Sequence, residues 1–77
     1  MGKMRILKIA EGSFEGDDHQ EVKGMYIYLV PADNAGVPER VFLTEERYAA
    51  LSFTPRANDT VYIFRNVYGR VIDILKA

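Results

Sequence analysis

What lies between the aliphatic residues constrains this chain most. Side chains alternate between the two faces of a β-strand, so if Met25, Ile27 and Leu29 fill a core, Tyr26 and Tyr28 stand opposite. Val61 and Ile63 leave Tyr62 and Phe64 outside in the same way, and Val41 and Leu43 leave Phe42. An outer face without a task is filled with Thr, Lys and Glu. Aromatic rings there imply that something flat stacks on them or that a partner covers them.

The order of elements follows from the punctuation. Met4 to Ala10 reads as a strand that continues to a bend around Gly12, Ser13 and Gly16, since glycine inside a strand pattern marks a bulge or barrel corner. Asp17 to Gln20 form a polar tip, and Glu21 to Val30 return as the second strand, completing a long bent hairpin. Pro31 to Pro38, with Asn34 and Gly36, read as a loop, and a third strand runs from Glu39 to Leu43. Thr44 then caps a short helix, Glu45 to Leu51, with acidic residues in its first turn and Leu43 and Tyr48 placed as a hydrophobic staple. Tyr48 and Leu51 share a face and plug one end of the core. Val61 to Arg65 and Arg70 to Leu75 form a final hairpin whose turn, Asn66 to Gly69, ends in the glycine that such turns use for positive φ.

Three strands, a short helix and two strands, with a glycine bend in the first strand, predict a mainly β domain spanning residues 1–77: a small five-stranded OB-like barrel with one helix between strands 3 and 4. An SH3-like barrel and an open five-stranded meander fit the same ribbon.

The bulk numbers limit function. No apolar run approaches the roughly 20 residues needed to cross a bilayer, and no apolar stretch follows the first basic residues as a signal peptide would. The expectation is a soluble cytoplasmic protein without a membrane partner. The absence of cysteine removes disulfides and thiolate metal sites. Formal net charge is −1, whereas a general nucleic-acid-binding surface carries a positive excess. Charge is uneven along the chain. Residues 1–39 hold Lys3, Arg5, Lys8 and Lys23 against seven acids, net −3, while from residue 40 six basic groups face four acids, net +2. The basic groups of the second part are nearly all Arg, which stacks on bases and forks onto phosphates.

No catalytic constellation is visible. The acidic run Glu15, Asp17, Asp18, His19, Glu21 lacks cation-loop spacing and reads as a solvated hairpin tip. Ser13 and Ser52 have no activating motif, and Glu45 and Glu46 diverge on a helix. The expectation is a non-enzyme with no cofactor and no metal. What remains are the two ingredients of single-strand binding, aromatic platforms and basic groups. Tyr26, Tyr28, Phe42, Tyr62, Phe64 and Tyr68 supply rings, with Phe14 at the bend; Lys23, Arg40, Arg65 and Arg70 supply phosphate contacts. The competing reading is a protein-interaction or structural subunit whose aromatic face forms a homodimer or partner interface, since small domains gain stability by burying a second apolar face.

Four runs carry a resemblance: MRILKIAEGSFEG from Met4, VKGMYIYLV, RVFLTEERYAAL and DTVYIFRNVYGRVIDILKA. Together they resemble small proteins of Gram-positive phages and conjugative elements, which are similar in size and pattern to the filamentous-phage single-stranded-DNA-binding protein. The resemblance implies an OB-like barrel, a dimer, and cooperative coating of single-stranded DNA by exposed Tyr and Phe. The slightly acidic composition departs from that pattern.

Overall fold

A computed structural model describes residues 2–33 and 35–77; Asn34, one of the expected loop residues, lies outside them. The described residues form five strands and one helix: β1 (Lys3–Glu15), β2 (Glu21–Pro31), β3 (Glu39–Thr44), α1 (Glu45–Ala49), β4 (Thr60–Arg65) and β5 (Val71–Lys76). All strand pairs are antiparallel in one sheet ordered β3-β2-β1-β4-β5. No strand pairing joins β3 to β5 among the described residues, so the sheet has two edges and is not a closed barrel.

The core is the aliphatic row that the strand alternation predicts, except that Met25 and Ile63 are only half-buried. Ile6, Ile27, Leu29, Val61 and Ile74 are fully buried, and Val41, Leu43 and Val71 complete the cluster. Each such side chain stabilises the fold by about 1.5–3 kcal/mol on leaving water. Tyr48, Leu51 and Phe53 pack against this cluster from the α1 side. The helix starts where predicted, with the Thr44 Oγ1 accepting from the Arg47 amide at 3.3 Å, but ends at Ala49, two residues earlier than expected.

The inner face curls around its core. Arg65 on β4 forms an ion pair with Glu39 on β3, and both belong to the inner parity of their strands. Those strands would lie about 14 Å apart in a flat sheet.

The bulge in β1 does not fall at its glycines. Gly12 sits in an unbroken ladder opposite Gly24, and the register shift falls earlier, between Ile6 and Lys8, with Leu7 as the extra residue. The cause lies on the other side of β1. Ile6 donates to the Asp59 carbonyl at 2.9 Å and accepts from the Asn58 amide at 2.8 Å, while β4 pairs with β1 only at Lys3, Met4 and Arg5. At Ile6 the strand leaves one partner and continues with β2 alone. A bulge at such a point adds twist and reverses the parity of the residues beyond it.

Candidate functional site

Paired residues in a sheet share a face, so the ladders fix which side chains lie together. On the outer face, Ala10, Tyr26 and Phe42 form one row across β1, β2 and β3; Lys8, Tyr28 and Arg40 form the next. Phe14 lies two positions beyond Gly12 on the same side. The rings touch: Phe42 meets Tyr26 at 4.9 Å between centroids and Phe14, edge to face, at 5.0 Å. Two cations sit over tyrosines of this group, the Arg40 guanidinium 4.7 Å from the Tyr26 centroid and the Lys8 Nζ 4.7 Å from that of Tyr28.

Two glycines make the cluster possible. A Cβ on Gly12 would lie 2.3 Å from the Tyr26 ring, and one on Gly24 would lie 2.6 Å from the Phe42 ring. The rings lean over bare backbone at these two positions. Tyr26, Tyr28 and Phe42 are half-buried and Phe14 is 44% exposed. The strand-parity reading therefore holds for these positions: the rings lie opposite the aliphatic core.

The remaining candidate residues lie elsewhere. Tyr62 and Phe64 are half-buried outer-face residues of β4, Tyr62 directly beside Lys3 and Phe64 beside Asp73. Tyr62 is level with Lys3 and Tyr26 with Ala10, so the two aromatic groups are about 20 Å apart along β1. Tyr68 is 90% exposed at the tip of the β4–β5 turn. The Asn66 Oδ1 orders that turn by accepting from the Tyr68 and Arg70 amides at 2.9 and 3.0 Å, with Gly69 at φ 82° as the sequence requires. Arg70 is exposed on the same turn.

Two basic candidates are not beside these rings. Arg65 is engaged by Glu39 and donates to the Gly69 carbonyl at 3.1 Å. Lys23 has the parity of Met25, on the inner side, and lines a shallow depression with Glu11, Glu21 and Glu45. The cation over Tyr28 is Lys8, which sequence reasoning misses because the Leu7 bulge decides its face. The acidic tip is exposed as expected, with the Glu15 carboxylate 2.7 Å from the His19 Nδ1.

No family model matches the sequence, and no match was found among curated proteins or solved structures.

Proposed function

We propose that this chain is a non-catalytic module that binds single-stranded nucleic acid, DNA by the resemblance its sequence carries, on the outer face of β1–β3. The observation that carries this reading is the contiguous group of Phe14, Tyr26 and Phe42, opposite the core, with Arg40 over Tyr26 and Lys8 over the neighbouring Tyr28. Base–aromatic stacking is worth about 1–3 kcal/mol per base and tolerates any sequence. An Arg beside the rings adds a planar cation able to stack on a base or grip a phosphate. Tyr28, Tyr62, Phe64 and Tyr68, with Arg70, extend the candidate surface.

The OB-like barrel belongs to the same reading. It is supported by the strand order, with β1 paired on both sides, by α1 between β3 and β4, and by the curl that lets Arg65 reach Glu39; barrels of this class are partly open and bind ligands around strands 2 and 3. The test is a titration of fluorescein-labelled oligothymidine at low salt. Anisotropy rises with the unmodified chain, and Phe42→Ala weakens affinity by about 5- to 150-fold, the equivalent of one lost stack. Unchanged anisotropy at equimolar protein and oligonucleotide refutes the reading.

A second reading, self-association, is favoured by a separate observation: among the described residues β5 is an unpaired edge carrying Ile72 and Leu75, 50% and 38% exposed. Unpaired edges with apolar side chains are templates for pairing with another chain. A dimer built there leaves the β1–β3 face open to ligand.

A further inference from the structure

The net charge of −1 conceals a segregation that only the register reveals. The outer face of β1, β2 and β3 receives Lys3, Arg5, Lys8 and Arg40, and none of the carboxylates of those strands. Glu11, Glu15, Glu21 and Glu39 have inner parity. The Leu7 bulge is responsible. It lets Lys3 and Arg5, at odd positions, share a face with Lys8, at an even one. The acid-rich first half of the chain thus supplies most of the positive charge on the aromatic face.

We propose that Lys3 and Lys8 form a phosphate track along β1 joining the two aromatic groups, so that an extended single strand runs from Tyr62 to Tyr26 and Phe42. The proposal rests on the nucleic-acid reading and specifies the path within it. The two lysines lie in the interval between those groups, and each is placed by a ring of the same face, the Lys3 Nζ 6.0 Å from the Tyr62 centroid and the Lys8 Nζ 4.7 Å from that of Tyr28. An interval of about 20 Å along a strand is too long for a mononucleotide and suits a chain of several phosphates. A ring under each cation offsets part of the cost of holding it in place. Lys23, among carboxylates on the other side, stays out of the contact.

Counterion release makes the path measurable, because each neutralised phosphate of a single strand contributes about 0.7 to the slope of log affinity against log salt. Oligothymidine affinity is measured by anisotropy over a salt series for the unmodified chain, Lys3→Gln, Lys8→Gln, the double variant and Lys23→Gln. The expected result is a slope shallower by about 0.7 for each single variant and about 1.4 for the pair, with Lys23→Gln matching the unmodified chain. Unmodified slopes in Lys3→Gln and Lys8→Gln, or an equal loss in Lys23→Gln, overturn the track while leaving the binding reading intact. No binding by the unmodified chain overturns both.

Discussion

Gly12 and Gly24 face each other across β1 and β2, yet alanine should act differently at the two positions. At Gly24 the added carbon would lie 2.1 Å from the Leu43 carbonyl oxygen and 2.6 Å from the Phe42 ring. The ring can turn aside; the carbonyl belongs to the β2–β3 ladder and cannot move without lengthening the pairing of Met25 with Leu43. Overpacking of this kind costs about 1–3 kcal/mol, and a weakened ladder bond about 1 kcal/mol more. Restricting the unfolded chain returns about 0.4–1 kcal/mol. The net loss is about 1–3.5 kcal/mol, against about 4–12 kcal/mol for a domain of this size. At Gly12 the nearest atoms are all on the Tyr26 ring. That ring rotates at the expense of its contacts with Phe42 and Arg40, about 1–2 kcal/mol together, and restriction of the unfolded chain leaves a net loss of about 1.5 kcal/mol or less. Thermal denaturation followed by circular dichroism should show a midpoint lower by about 4–28 °C for Gly24→Ala and less lowered for Gly12→Ala, whereas oligothymidine affinity should fall in Gly12→Ala. Equal destabilisation by the two variants would refute the argument that backbone, rather than ring, limits the space.

Asn66→Ala removes the acceptor for two turn amides; urea denaturation should show a loss of about 1–2 kcal/mol, with faster hydrogen exchange at Tyr68 and Arg70. Replacing the helix cap, Thr44→Ala, should cost about 1 kcal/mol by the same assay. If β5 pairs with a second copy, Ile72→Lys and Leu75→Lys should lower the sedimenting mass of concentrated protein and abolish the concentration dependence of its thermal midpoint, and an unchanged mass counts against that edge.

The elements are legible because each strand states its period plainly. Val41–Phe42–Leu43 and Met25 to Leu29 alternate without interruption, and Thr44 followed by two glutamates marks a helix start that the structure reproduces. Tyr26, Tyr28 and Phe42 can be assigned to the outer face for the same reason. Register is not legible. Leu7 looks like any apolar strand residue, and only the hydrogen bonds of Ile6 to Asn58 and Asp59 explain why it is extruded. Sequence reasoning therefore misses Lys8; Lys23, by contrast, carries the legible parity of Met25 and is included only because it is near the rings in sequence. Sequence distance puts Arg65 near Phe64, but its long side chain reaches a strand not adjacent to its own. Closure of a sheet depends on contacts between β3 and β5, which no local pattern encodes.

The extruded Leu7 makes β1 behave like a ribbon given a half-turn at one stitch. Were Leu7 held in the ladder instead of extruded, the strand would present Lys3 and Arg5 to the side away from Tyr26 and Phe42 and turn Ile6 and Met4 out to water. The extrusion thus holds the greasy and the charged sequences of the strand in phase with their separate neighbours at both ends of the sheet.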